Sequence, residues 1–142
     1  MKLSKKSRYG LTALVDLAVN SGAGHVALYS IAQRNGISPQ YLEQVFASLR
    51  RAGIVKSIKG PQGGYLLAHE PDRITVSEIL EATEGSYLLE NEDGQGISCT
   101  IQKLIIDKVN EEMEAILEHL TLADLKEDYL EYSGYEQDMY YI

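Results

Sequence analysis

The sequence predicts a mainly α-helical fold that carries one small β-hairpin. Three observations predict it. Apolar residues recur at helical spacing through most of the first 52 positions. Residues 54–68, IVKSIKGPQGGYLLA, instead hold two short β-prone runs around a glycine- and proline-rich turn. From about Cys99 to Leu120 a long amphipathic segment follows. With 142 residues and 44% hydrophobic content, the chain can bury one core, or a small domain with an appended helix. The expected division is a three-helix-plus-hairpin domain over 1–84, a loop over 85–98, helices over 99–133 and a tail over 134–142.

The first helix is expected to start after Ser4, a good capping residue, and to end near Ser21 and Gly22. Leu11, Leu14, Val15 and Ala18 give it one apolar face. A second, short helix spans roughly Ser30 to Asn35, where Gly36 stops it and Ile37 plugs the core. Ser38 and Pro39 restart the chain: the serine can cap free amides, and proline is tolerated at a first helical position. This third helix runs to about Ala52. Leu42, Val45, Phe46 and Leu49 should pack inward, leaving Gln40, Glu43, Gln44, Ala47 and Arg51 on the opposite side.

The hairpin pairs Ile54–Lys59 with Tyr65–Ala68. Pro61 presets the φ its turn position needs, and Gly60, Gly63 and Gly64 permit sharp bending and close backbone approach. Lys56 and Lys59 place two cations on one arm. After the hairpin, Thr75 to Glu78 has capping-box spacing and opens a helix through Ala82 or Glu84. Residues 86–98 are acidic and glycine-containing, which predicts a loop. In the long segment Val109, Met113, Ile116 and Leu120 are spaced like a coiled-coil seam that needs a partner, either the protein's own core or the same helix of a second copy. Thr121 begins a last short helix, and a tyrosine-rich acidic tail completes the chain.

A helix–turn–helix followed directly by a basic hairpin reads as a winged helix, a DNA-binding device. Charge supports this once divided along the chain. The formal net charge is −8, yet residues 1–75 hold ten Lys/Arg against four Asp/Glu, a net of +6. Residues 76–142 hold three against seventeen, a net of −14. Within a Debye length a polyanion meets only the local field, so an acidic total is compatible with a basic reading face. A recognition helix needs amide or short side chains for base edges and cations for phosphates. Ser38, Gln40, Gln44, Arg51, Lys56 and Lys59 meet that description. Two such heads spaced one DNA turn apart would read a palindrome, so the seam predicts a homodimer.

Other classes find little support. No apolar run approaches the ~18–20 residues of a membrane span, and Asp16 interrupts the stretch that resembles a leader. A single cysteine excludes an intrachain disulfide framework and fits a reducing cytoplasm. No nucleophile–base set, phosphate-binding glycine loop or rigid carboxylate pair stands out, so an enzyme is not expected. His25, His69 and His119 lack metal-ligand spacing and read as surface or packing residues. A rival reading is an interaction adaptor whose winged helix no longer reads DNA.

The segments SRYGLTALVDLA, ISPQYLEQVFASLRRAGIVKSIKGPQGGYLLA, ITVSEILEATEG and TLADL together resemble the winged-helix family of the iron–sulfur-cluster regulator IscR and the cysteine-metabolism regulator CymR, the Rrf-two family. The similarity covers nearly all of residues 1–125. It implies a homodimeric bacterial transcription factor, usually a repressor, with a long dimerisation helix behind the wing. It further implies that Gln40, Tyr41, Glu43, Gln44, Lys59 and Gln62 read DNA, with Arg8 and Tyr9 placed for backbone contact.

The cluster-binding members carry three closely spaced cysteines between wing helix and dimerisation helix. Here Gly85 to Thr100 holds only Cys99, and one thiolate per subunit cannot hold a cluster alone. No cofactor is therefore expected; an alternative is a redox- or cluster-responsive regulator using Cys99. The resemblance then points to CymR-like, cluster-free regulators of cysteine metabolism. The tyrosine-rich end, closing on Tyr140, Tyr141 and Ile142, is similar to their tails ending in Tyr-Ile. A free carboxylate on an apolar residue suits capture in a backbone nest. It also resembles the isoleucine-ended tail by which serine acetyltransferase docks into O-acetylserine sulfhydrylase. Two readings stay open: the tail docks into that enzyme, or its tyrosines pack in the dimer or lie in solvent.

Overall fold

The computed structural model describes residues 2–140, with the backbone alone at 135 and 137–140. Its order is α1 (Lys5–Asn20), α2 (Leu28–Asn35), α3 (Pro39–Arg51), β1 (Val55–Ile58), β2 (Gly64–Leu67) and α4 (Val76–Glu84). An irregular stretch then leads to α5 (Ile97–Ile101), a π-helical turn (Gln102–Ile106), α6 (Asp107–His119) and α7 (Leu122–Tyr140). The mainly helical class with one hairpin is thus the observed one.

Local chemistry sets most boundaries. Ser4 Oγ accepts the Ser7 amide at 3.2 Å, Ser38 Oγ accepts that of Tyr41 at 3.4 Å, and Thr75 Oγ1 accepts that of Glu78 at 3.1 Å. Each hydroxyl occupies one of the amides a helix start leaves free. Gly36 ends α2 in the left-handed region, φ 64°. α2 starts two residues earlier than expected, at Leu28, because its start is Ala27, which has no side-chain cap to signal it.

The core lies between α1, α3 and the hairpin. Leu42, Val45, Phe46 and Leu49, the predicted inner face of α3, are all 0% exposed. At about 1.5–3 kcal/mol for each large side chain removed from water, that face anchors the helix and leaves its other side free. Leu14 and Ala18 of α1 are buried, as are Ala13 and Leu17, while Leu11 and Val15 pack half-buried at the rim.

β1 and β2 pair antiparallel in the register Val55↔Leu67 to Ile58↔Gly64. Val26 adds a one-residue third rung: its amide donates to the Tyr65 carbonyl at 2.9 Å and its carbonyl accepts the Tyr65 amide at 2.8 Å. Tyr65 also packs on Phe46, ring centroids 4.7 Å apart. The hairpin is therefore held by the helix it follows and by the α1–α2 connection.

A second apolar cluster joins the C-terminal helices to this domain. Val76, Leu80 and Tyr87 bury against Met113, Leu117, Leu120 and Leu125. Two backbone bonds lock the α6–α7 junction: Val76 N–H to Leu120 carbonyl and Leu122 N–H to Ile74 carbonyl, both 2.8 Å.

The expected seam on α6 is divided. Met113 and Leu120 pack within the chain, whereas Val109 and Ile116 are 39% and 62% exposed. The apolar arc is wider than one seam: Leu117 joins its inner edge and leaves the outer edge in solvent. The long helix starts at Ile97, ahead of Cys99, and carries a π-helical turn that composition did not foretell. The last helix, expected short, spans Leu122–Tyr140.

Candidate nucleic-acid interface

The predicted reading residues fall on α3, the hairpin and the start of α1. Ser38, Gln40, Glu43, Gln44 and Arg51 of α3 and its cap are exposed, as are Lys56, Lys59 and Gln62 of the hairpin and Arg8 of α1. The apolar half of α3 is fully buried, so the whole amide-rich half is presented outward. Arg51 ends α3 and β1 begins at Val55, so three residues join helix to wing.

Tyr9 and Tyr41 depart from this pattern. Both are half-buried and pack on the core, ring against ring, 5.6 Å between centroids and 85° between planes. They join the start of α1 to the start of α3. Their phenol oxygens are the parts that a duplex could use.

Hydrogen bonding limits what each remaining side chain can do. The Ser38 hydroxyl caps α3 and donates to Gln40 Oε1 at 3.1 Å, which leaves the Gln40 amide nitrogen as the available donor. Arg51 Nη2 donates to Ser48 Oγ at 3.1 Å, and Arg8 Nε to the Leu3 carbonyl at 3.3 Å. Both guanidiniums retain further N–H groups. Among the described residues the one ion pair is Arg34–Asp16, so Arg8, Arg51, Lys56 and Lys59 spend no charge on a carboxylate. A row of such cations beside exposed amides can hold phosphates and probe base edges.

The wing is shaped by close backbone approach. A Cβ on Gly63 would stand 2.1 Å from the Ile58 carbonyl oxygen, and one on Gly64 would stand 2.3 Å from that of Val26. The Gly63 amide closes the turn on the Gly60 carbonyl at 3.0 Å. Only glycine fits both positions. His25, read from sequence as a surface or packing residue, is exposed and also donates from Nε2 to the Gln62 carbonyl at 2.6 Å. Nothing in local spacing could have revealed this contact, since the two residues lie 37 apart.

The expected partner-docking residues Tyr140, Tyr141 and Ile142 lie outside the described residues, apart from the Tyr140 backbone. Among the described residues no helix is long and apolar enough to cross a membrane.

Comparison with known proteins places these features. Residues 3–128 match the model of the family described as "Rrf2: Iron-dependent Transcriptional regulator". The chain is 40% identical to the HTH-type transcriptional regulator CymR of Bacillus subtilis, over 99% of this chain and 97% of that one. The solved structure of CymR, the global cysteine regulator of B. subtilis, superposes with a TM-score of 0.79 at 39% identity, covering 89% of this chain and 97% of that chain. That of T. potens IscR gives 0.74 at 44% identity, covering 91% and 88%.

The iron in the family's description finds no matching donors among the described residues. Cys99 is exposed, with its Sγ donating to the Gly94 carbonyl at 2.9 Å. No three His, Cys, Asp or Glu side chains converge on a metal position among the described residues. A lone thiolate does not fit an iron–sulfur cluster.

Relatives along nearly the whole length carry the names of regulators, not of enzymes. Family model, relatives and the superposed fold agree: the chain belongs to the Rrf2 family of transcriptional regulators.

Proposed function

We propose that this protein is a cytoplasmic, homodimeric DNA-binding repressor of genes of cysteine and sulfur metabolism. One observation carries the DNA reading. The outer half of α3 and the adjoining wing expose Gln40, Gln44, Arg51, Lys56, Lys59 and Gln62 together, with their charges unspent on carboxylates. The amides of Gln40 and Gln44 probe base edges in the major groove, while Lys56, Lys59, Arg51 and Arg8 hold phosphates. Glu43 accepts from a base amino group or repels wrong ones. Salt-sensitive affinity follows from the cations.

The sulfur-metabolism assignment rests on similarity to CymR and on the lack of a cluster-binding donor set. Two copies, joined through their long C-terminal helices, would read a palindromic operator. The tail ending in Tyr140, Tyr141 and Ile142 docks into O-acetylserine sulfhydrylase, so that repression reports on sulfur supply. Pull-down of that enzyme with and without Ile142 tests this docking, and equal recovery would sink it.

The central test is a fluorescence-anisotropy titration against a palindromic duplex selected by the protein from a random pool. Lys59→Ala should weaken binding to every sequence and lower the salt slope by about 1. Gln44→Ala should relax preference at one or two base pairs, costing about 1–3 kcal/mol at a bidentate contact. If both variants bind like the parent, the reading surface lies elsewhere.

A further inference from the structure

We infer that His25, which belongs to neither the helix–turn–helix nor the hairpin, is a positioning residue that aims the wing tip for DNA. The inference rests on the wing being a reading element, as proposed above, and adds the group that orients it.

The geometry leaves His25 little freedom at its backbone. The next residue, Val26, exchanges both backbone hydrogen bonds with Tyr65, at 2.9 and 2.8 Å. Its carbonyl also stands where a Cβ on Gly64 would clash, so the 25–26 segment presses against the root of β2. From that fixed base the imidazole reaches the tip of the loop, where Nε2 meets the Gln62 carbonyl at 2.6 Å. The wing tip otherwise has one internal backbone bond beyond the ladder, from the Gly63 amide to the Gly60 carbonyl. That bond closes the turn on itself and ties it to nothing outside the hairpin.

The His25 bond is therefore the described tether between the turn and the body of the domain. It fixes the plane of the Gln62–Gly63 peptide, and with it the direction in which the Gln62 side chain leaves the turn. Lys59 stands on the same five-residue loop between Ile58 and Gly64 and is steered along with it. A carbonyl can only accept, so Nε2 donates whether the ring is neutral or protonated. Holding the tip in one orientation before binding removes an ordering cost that the complex would otherwise meet.

The test is a double-mutant cycle on the duplex selected from a random pool by the parent protein, read by anisotropy at fixed salt. His25→Ala is compared with the parent, and again in a Lys59→Ala, Gln62→Ala background. We expect His25→Ala to weaken the parent about fivefold, the scale of one ordinary hydrogen bond. In the background lacking the wing side chains it should change nothing, because there is nothing left to aim. His25→Gln, whose amide can still donate, should restore most of the affinity. Loss of the same size in both backgrounds would make His25 merely structural, and an unchanged affinity would make its bond irrelevant; either overturns the inference. If Lys59→Ala, Gln62→Ala binds like the parent, the wing tip does not touch the duplex. That pair then refutes the wing reading before His25 is touched, and the positioning role falls with it.

Discussion

Tyr9 and Tyr41 meet edge to face, 5.6 Å between ring centroids, at the point where α1 crosses the start of α3. Two residues expected at the DNA surface thus fix the start of α3 against α1. The two roles separate by atom, because the ring packs and the phenol oxygen is the polar end. Tyr9→Leu should lower stability by about 1–2 kcal/mol, from the lost aromatic pair and part of its buried area. Tyr9→Phe should leave thermal unfolding unchanged and weaken operator binding only if the hydroxyl contacts a phosphate. Calorimetry beside anisotropy distinguishes them; a Phe variant as unstable as the Leu variant would refute the division.

The two wing glycines make a sharper prediction. An added methyl at Gly64 collides with the Val26 carbonyl at 2.3 Å, and at Gly63 with the Ile58 carbonyl at 2.1 Å. These are backbone atoms in a ladder and cannot step aside as a side-chain end would. Gly64→Ala should therefore cost about 1–3 kcal/mol, in the range of overpacked sites, and detach the third rung at Val26. Gly22→Ala, which meets open space, should leave stability within about 0.5 kcal/mol of the parent and serves as the control. Urea unfolding of the two variants decides the matter.

Not every cation of the basic half is free of a carboxylate, and Arg34 shows the difference. It holds Asp16 through two bonds, Nη2 to Oδ1 at 2.6 Å and Nε to Oδ2 at 2.9 Å, while Asn35 adds a third at 2.9 Å. The Asp16 side chain is 9% exposed and that of Arg34 42%, so solvent screens the cation side of the pair. Arg34→Ala leaves the carboxylate enclosed without its charge partner. The expected loss is about 1–2 kcal/mol, below the figure for fully buried pairs. DNA affinity of the folded variant should match the parent, and a fall in the salt slope would place Arg34 on the duplex.

Acid should loosen the packing of α1 on α4. The Glu84 carboxylate accepts the Ser4 and Ser7 hydroxyls and, at 3.0 Å, the Ser4 amide. The Ser4 hydroxyl first, then that of Ser7, hold its pKa below the ordinary 4.5; burial opposes them, and Lys6 assists from nearby. A depressed carboxylate stabilises the fold fully above its unfolded value. That contribution is lost as pH falls below about 4.5 and through the lowered native value. Glu84→Gln should flatten this limb of a stability-against-pH curve between pH 6 and 3. An identical slope in both proteins would mean that other carboxylates govern acid unfolding.

What was legible in the sequence was local. Ser4, Ser38 and Thr75 announce helix starts because a hydroxyl acts on an amide three residues away, and the inner face of α3 follows from its period alone. Even the wing glycines signalled close approach, although not which carbonyls they approach. The illegible features join distant segments or lack a compositional mark. Glu84 lies 80 residues from Ser4 and His25 lies 37 from Gln62, while the π-helical turn at Gln102–Ile106 has no signature residue. The α6 seam was half legible for a related reason: periodicity finds an apolar arc without saying how two neighbours divide it.

The outer edge of that arc supplies the last prediction. Ile101, Leu104, Ile105, Val109 and Ile116 are all exposed, along one helical segment interrupted by the π-helical turn. So many large apolar side chains on one run call for cover, and in the proposed homodimer a second copy provides it. Each is exposed in the single chain, so replacing it should spare the monomer fold. Leu104→Glu with Ile105→Glu should shift sedimentation from dimer to monomer and leave the circular dichroism spectrum unchanged. Because each half of a palindrome would then be bound separately, operator affinity should fall by about 10²-fold, the low end of what linkage confers. A variant that still sediments as a dimer would put the interface on another face, and a parent that sediments as a monomer would remove the palindrome from the account.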